Sequence, residues 1–297
     1  MKILVIGATG YVGSHAARHL ATGGHEVVGT CRAPADREKV EALGARAELA
    51  DLDRLDSLHD LLAEADSILY AAQLLLEPEH QAVVHLLDRL EGTGKAFIFT
   101  SGTGVLSQKT DGRWSEDVFA EDDPFVASKW LVRRTETEAV VRGAASRDVR
   151  AMVVRPPMIW GNGRCGLIRA FYDSARKTGD VCYVGPGLNL YSNVHVEDLA
   201  ELYRLALDKG SAGSLYHCVA GEVAHRTLAD AVARQLGCAA RSIDFPEAER
   251  IWGKFFALII MSTCSRSRSP RARAELGWAP THLDMITEAA HPAWRNG

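Results

Sequence analysis

Lys2-Ile3-Leu4-Val5-Ile6, Gly7-Ala8-Thr9-Gly10-Tyr11-Val12-Gly13 and Ser14-His15-Ala16-Ala17-Arg18-His19-Leu20 follow one another at the start of the chain. They read as a buried strand, a glycine turn and an amphipathic helix. In that arrangement the backbone N–H groups at the helix N-terminus face a pyrophosphate. The three glycines serve different ends. Gly7 permits the tight turn, Gly10 lets the backbone approach the phosphates, and Gly13 allows the helix to pack closely on the strand. Dinucleotide binding by Gly7, Thr9, Gly10, Tyr11, Val12 and Gly13 is the expectation, set against a βα turn that merely happens to be rich in glycine.

Composition frames this reading. The chain has 297 residues, 47% hydrophobic and 24% charged, enough apolar surface for one large domain or two closely joined ones. A net charge of −4 favours neither nucleic acid nor an anionic membrane, so a small-molecule substrate is expected. Six cysteines are scattered with no CxxC pair, as in a reduced, cytoplasmic protein without a disulfide or zinc framework. Met1-Lys2 runs straight into the first strand, which leaves no signal peptide in the reading.

Further along, Val27-Val28-Gly29-Thr30-Cys31 forms a second strand that ends at Arg32. An acid at that place suits the ribose hydroxyl of NAD, whereas an arginine suits a 2′-phosphate. NADP(H) is therefore the expected cofactor with Arg32 as its phosphate ligand, and NAD(H) is the alternative. Ala47-Glu48-Leu49-Ala50 is the third strand. Ser67-Ile68-Leu69-Tyr70-Ala71-Ala72 is the fourth, with Ala71 and Ala72 small enough for a cofactor to lie against. A helix over 79–90 and a fifth strand, Lys95 to Ser101, continue the alternation. It predicts an α/β, Rossmann-type doubly wound parallel sheet with a smaller C-terminal substrate-binding region. The expected division is a dinucleotide-binding part over 1–160, with returns to the sheet near 190–220, and a mainly substrate-binding part over 161–297. The apolar run Phe255 to Met261 is far shorter than the ~20 residues of a membrane span. It reads as a buried helix, a pocket wall or the face of a homodimer.

The spacing of Gly7, Gly10 and Gly13 resembles that of the extended short-chain dehydrogenase/reductase superfamily, which holds nucleotide-sugar epimerases, dehydratases and reductases. Arg155-Pro156-Pro157-Met158-Ile159-Trp160-Gly161, Val194-His195-Val196-Glu197-Asp198-Leu199-Ala200 and Glu275-Leu276-Gly277-Trp278-Ala279-Pro280 resemble later marks of the same group. The resemblance implies that Asp51 and Leu52 lie beside the adenine and that Pro156 and Met158 pass the nicotinamide. His195 and Asp198 are assigned to architecture, Asp198 as a cap of the helix that follows. Asp51 can equally cap the segment that begins at Leu55. Ser269-Pro270 is expected to open a helix that ends at Gly277.

The chemistry departs from the pattern. Active relatives carry a tyrosine four residues before a lysine on one helix face, the lysine lowering the phenol's pKa and holding the nicotinamide ribose. Here Phe125 occupies the tyrosine place and Lys129 the lysine place. The usual hydroxyl after the fifth strand falls on Gly102, flanked by Ser101 and Thr103. Lys129, Thr103 and Ser101 are the catalytic candidates. Three functions are compatible with this: an NAD(P)-dependent oxidoreductase with a non-standard active site, an epimerase or dehydratase that uses another tyrosine such as Tyr183 or Tyr191, or a non-catalytic NADP(H)-binding sensor. The arginines at 266, 268, 271 and 273 are either a diphosphate site or a solvated run.

Overall fold

Strand β1 (Lys2–Ile6) alternates its side chains between two buried faces, as a strand covered by helices on both sides must. Ile3 and Val5 join a core with Leu69, Ile98 and Met152, whereas Leu4 and Ile6 join another with Ile68, Phe97 and Phe99. The computed structural model describes residues 1–294. Around β1 it builds a seven-stranded, wholly parallel sheet from β2 (Glu26–Cys31), β3 (Arg46–Leu49), β4 (Ser67–Tyr70), β5 (Ala96–Thr100), β6 (Arg150–Arg155) and β7 (Leu215–His217), in the order β3-β2-β1-β4-β5-β6-β7. The strand order reverses between β1 and β4. A crevice opens there at the carboxyl ends of the strands.

Three long helices shape that crevice: α1 (Tyr11–Thr22), α2 (Leu76–Leu90) and α3 (Val132–Gly143). A fourth, α4 (Val196–Lys209), returns from the second half of the chain and lies along α1 through His15–Glu197 and His19–Glu201 contacts of 2.6 and 2.8 Å. The helix α2 starts three residues before the expected position. Glu79 is buried in its first turn.

Part of the chain beyond 160 forms a second core, in which Phe171, Tyr172, Tyr183, Leu228, Val232 and Ile251 are buried together, while Leu199, Tyr203, Tyr216, Leu276 and Trp278 return to the first. Met158–Trp160 pairs in parallel with Leu190–His195, joining the two cores side by side. Contrary to the expectation, Asp198 does not cap the helix that follows. That helix begins at Val196, and its cap is His195, whose Nδ1 accepts from the Glu197 N–H at 3.3 Å. Asp198 instead accepts from the backbone N–H groups of Thr281 and His282 at 3.0 and 2.9 Å, and so pins the C-terminal segment. Those bonds hold its carboxyl below the usual range despite partial burial.

The Ser269–Gly277 segment is helical as expected, with a wide π turn over Ala272–Leu276 and Gly277 in the left-handed region at φ +70°. All six cysteines are unpaired. Among the described residues no helix is long and apolar enough to cross a membrane, and no cluster is arranged to hold a metal ion.

Buried histidines make the fold sensitive to acid. Burial lowers the pKa of His225 to about 3 and that of His195 to about 4. His217 falls to about 4, first through burial and then through the Arg155 charge beside it. Because the folded values lie below the ordinary histidine value of 6.5, the unfolded chain takes up protons first as pH drops. Stability from these groups is therefore complete above pH 6.5 and is lost progressively toward pH 4 for His195 and His217 and toward pH 3 for His225, each unit of difference being worth about 1.4 kcal/mol. Denaturant midpoints measured across that range are expected to fall with acid, and His225→Gln is expected to flatten the fall. An identical pH slope in the variant would contradict this.

Candidate functional site

The crevice between β1 and β4 holds a cavity of about 430 Å³. Its floor is the glycine turn. Gly7 has φ +94°, and a Cβ there would stand 2.7 Å from the Ala72 backbone nitrogen. A Cβ on Gly13 would stand 2.1 Å from the Gly7 carbonyl oxygen, so α1 can seat on the turn only with glycine at this place. Gly10 is the N-cap of α1 and brings no capping side chain, which leaves the first-turn N–H groups available to a ligand. The remaining walls contain Thr9, Tyr11, Val12, Arg32, Asp51, Leu52, Ala71 and Ala72. Thr30 accepts from the Gly7 N–H at 3.1 Å and fixes the turn against β2.

Two of these residues behave differently from the simplest expectation. Tyr11 donates its hydroxyl to the Gly161 carbonyl at 2.7 Å, and burial raises its pKa, so it is an anchor between the two halves and not a proton donor. Asp51 does not cap the segment at Leu55. Its carboxylate instead accepts from the Asp53 N–H at 3.1 Å, which tightens the loop under the cavity rim.

An uncapped helix N-terminus above a glycine cradle, in a cavity of this size, fits a dinucleotide. The pyrophosphate would lie at residues 10–13. The adenosine end would lie toward Arg32, Asp51 and Leu52.

A second cavity of about 370 Å³ continues from the first, sharing Val12, Ala71, Ala72 and Ile159 with it. Ser101, Thr103, Pro156 and Met158 line it, together with Pro157, Tyr191 and Ile260. Thr103 is fully buried, and its hydroxyl oxygen has no partner among the described residues. The Ser101 hydroxyl donates to Glu138 at 2.5 Å. Glu138 also binds Arg155 through two contacts of 2.9 and 2.5 Å, forming a buried pair between α3 and the end of β6. A Cβ at Gly102 would find its nearest neighbour at 3.7 Å, so the absence of a hydroxyl there is not a demand of packing.

Phe125 and Lys129 do not join the cleft. The helix starts at Val132, after both of them, because its first turns are fixed by pairs to α2: Arg133 with Glu77 and Arg134 with Glu79, each at 2.6 Å. Phe125 lies under the Arg155 guanidinium at 5.1 Å and edge-on to Phe119. Lys129 is exposed, stands over the Trp130 ring at 5.1 Å and lines a separate cavity with Leu258, Ile259 and Thr263. Tyr191 lines the second cavity, but burial raises its pKa; Tyr183 packs in the second core beneath Arg226.

The arginines of this run are engaged with protein partners, although Arg268 and Arg273 stay exposed to solvent. Arg266 pairs with Glu222, Arg268 with Asp123 and Arg271 with Asp122, while Arg273 donates to the Val219 carbonyl.

Glu79, Arg134, Glu138 and Arg155 are the polar residues that sequence reading passed over. The spacing Arg134-x-x-x-Glu138 places both on one helical face, and was the available signal.

A model described as the NAD dependent epimerase/dehydratase family matches residues 3–219. An uncharacterized protein of Schizosaccharomyces pombe is 31% identical over 304 aligned positions, covering 99% of this chain and 100% of its own. The 2-alkyl-3-oxoalkanoate reductase of Stenotrophomonas maltophilia is 28% identical over 277 positions, covering 84% of this chain and 81% of its own. The solved structure of a dTDP-glucose 4,6-dehydratase from Streptomyces venezuelae, with NAD bound, matches with a TM-score of 0.78 at 20% identity, covering 100% of this chain and 97% of that one. At that identity the likeness is one of fold.

Two glycine substitutions separate binding from folding. Gly10→Val directs its methyl groups into the space a pyrophosphate needs, and calorimetry with NADPH is expected to show no binding by a protein that still unfolds cooperatively. Gly13→Val drives a side chain into the Gly7 carbonyl and is expected to lower the melting temperature sharply. Retained NADPH binding by Gly10→Val would remove the cofactor from this cavity.

Proposed function

We propose that this chain, which belongs to the NAD dependent epimerase/dehydratase family, is an NADP(H)-dependent reductase acting on a carbonyl group of a small, largely apolar organic compound. The observation that supports this most directly is the continuity of the cleft. A glycine cradle fit for a dinucleotide opens, past Val12 and Ile159, into a chamber walled by Pro156, Pro157, Met158 and Ile260.

When bound, the dinucleotide supplies or accepts a hydride. The chain's own groups do the rest. The first-turn N–H groups of α1 and Arg32 bind and orient the ligand, while the prolines and Ile260 give the chamber its apolar wall. Thr103 carries an unpartnered hydroxyl that can donate a hydrogen bond to a substrate oxygen. Ser101 has committed its proton to Glu138, so it holds the pocket's shape and offers only an acceptor.

The name of the reductase from Stenotrophomonas maltophilia supports a 3-oxo compound with an alkyl substituent as the substrate type. A sugar-nucleotide substrate is less well supported, because the four arginines that might meet a diphosphate are engaged with protein partners. The six unpaired cysteines suit work in the reducing cytoplasm.

Cofactor choice rests on Arg32, which lines the adenosine end of the cavity with Cys31 buried before it in place of an acid. A 2′-phosphate on a guanidinium is a charge-assisted contact of about 1.5 to 3 kcal/mol, or roughly ten- to a hundredfold in affinity. Titration of NADPH and NADH is expected to show that preference in the wild type and near-equal affinities in Arg32→Ala. Equal affinities in the wild type would refute the NADP(H) assignment.

A further inference from the structure

We propose that Arg134, held by Glu79, is the group that receives the substrate's carbonyl oxygen, so that a guanidinium–carboxylate pair polarises the carbonyl here where the resembled enzymes use a phenol. The inference rests on the carbonyl-reductase reading above and specifies how that site meets its substrate.

The placement comes first. Arg134 lies in the first turn of α3 and Glu79 in the first turn of α2, and both line the second cavity beside Ser101 and Thr103. Arg134 Nη1 is 2.6 Å from Glu79 Oε2, with the arginine side chain 14% exposed and the glutamate 1%. The guanidinium also lies over the Phe99 ring at 5.6 Å, which fixes its plane. Neither Phe125 nor Lys129 reaches this space, so Arg134 is the strongest donor on its wall.

The bonding is incomplete in a way that points to a ligand. An arginine carries five N–H donors. The bond to Glu79 is the one ion pair that Arg134 makes among the described residues; the buried Glu79 carboxylate is otherwise met by the Leu74 backbone, and its Oε1 has no partner of ordinary hydrogen-bond geometry among the described residues. A buried ion pair gains little stability over apolar packing, because both charges must be desolvated. One that keeps donors facing a cavity is better explained by what the cavity receives.

The charge balance selects the ligand's chemistry. Glu79 cancels the charge of Arg134, so a preformed anion such as a carboxylate is only weakly attracted. A neutral carbonyl oxygen still accepts a hydrogen bond from the free guanidinium edge, and it binds more strongly as it acquires negative charge. Arginine keeps its proton throughout. It stabilises the developing oxyanion without protonating it: the hydride of bound NADPH would reduce the carbonyl carbon, the alkoxide would take its proton from water reaching the open chamber, and Glu79 acts as a positioning residue that keeps the fork aimed.

The experiment uses benzylacetone labelled with a heavy carbon isotope at its carbonyl, with the wild type, Arg134→Ala, Arg134→Lys and Glu79→Gln. Three quantities are read: NADPH affinity, the carbonyl carbon resonance of the bound ketone, and kcat and KM for its reduction. In the wild type the bound resonance is expected to move downfield, as a carbonyl does when a cation polarises it. Arg134→Ala is expected to keep NADPH affinity, lose the downfield shift and lose roughly 10²- to 10³-fold in kcat, the usual effect of removing an oxyanion donor. Arg134→Lys is expected to recover part of both, and Glu79→Gln to give a smaller loss, chiefly in kcat.

A wild-type resonance and kcat in Arg134→Ala would overturn the proposal while leaving the reductase reading intact. Should Arg134→Ala fail to fold, Arg134→Lys decides: wild-type values there exclude a role for the planar fork. If the wild type binds NADPH but neither binds nor reduces benzylacetone or any ketone of a broad panel, the reductase reading fails and this proposal with it.

Discussion

The seating of α1 on the turn after β1 is the contact on which the rest of the structure depends. The two backbones approach until a Cβ on Gly13 would stand 2.1 Å from the Gly7 carbonyl, and Gly7 itself is pressed against the Ala72 backbone. Strand, helix and neighbouring strand end are thus locked together with no side chain between them. The helix N-terminus consequently opens on the crevice where the sheet order reverses. Tyr11, at the first position of that helix, carries the constraint onward through its bond to Gly161, and so sets where the second half of the chain begins.

A second constraint decides which polar groups remain for chemistry. Arg155 and Glu138 form a buried pair that ties the end of β6 to α3, with Ser101 as a third member. Breaking such a pair from one side leaves an uncompensated buried charge, a loss of about 3 to 5 kcal/mol. Its members are therefore held for architecture. Phe125 belongs to the same unit, since its ring supports the Arg155 guanidinium. The position that resembles a catalytic tyrosine has been absorbed into packing. Thr103 and the Arg134–Glu79 pair face the chamber with bonding capacity to spare.

Much of this was legible in the sequence where the determining physics is local. Glycine spacing, alternating burial along the strands and the period of the helices all act over a few residues, and they placed the sheet, the crevice and the lining from Gly7 to Ala72. The second cavity was legible in part, through Ser101, Thr103, Pro156 and Met158. What was not legible depends on partners distant in sequence. Lys129 falls outside the cleft because α3 starts where Arg133 and Arg134 meet acids more than fifty residues earlier, on α2. Asp198 looked like a cap, yet its bonds go to Thr281 and His282. Arg266 and Arg271 looked solvated, yet each is largely covered and meets an acid from another part of the chain, whereas Arg268 is as exposed as the sequence suggested.

The apolar run near the C-terminus contributes Ile260 to the wall of the chamber. Lys254–Phe256 continues into a π-helical turn over Ala257–Met261, whose wider winding changes which residues point inward. Ala257 and Met261 anchor it in the second core, while Ile260 turns into the chamber. Apolar surface on that wall lowers the local dielectric. A low dielectric strengthens whatever interaction the rest of the wall makes with a charge that appears during reaction. The same desolvation keeps a permanently charged substrate out unless an unpaired counter-charge waits for it, and Glu79 has already neutralised Arg134. For the carbonyl substrate proposed above, the π turn and the acid–base pair act in one direction: both disfavour an ion that arrives already charged and favour a neutral compound that becomes charged in place.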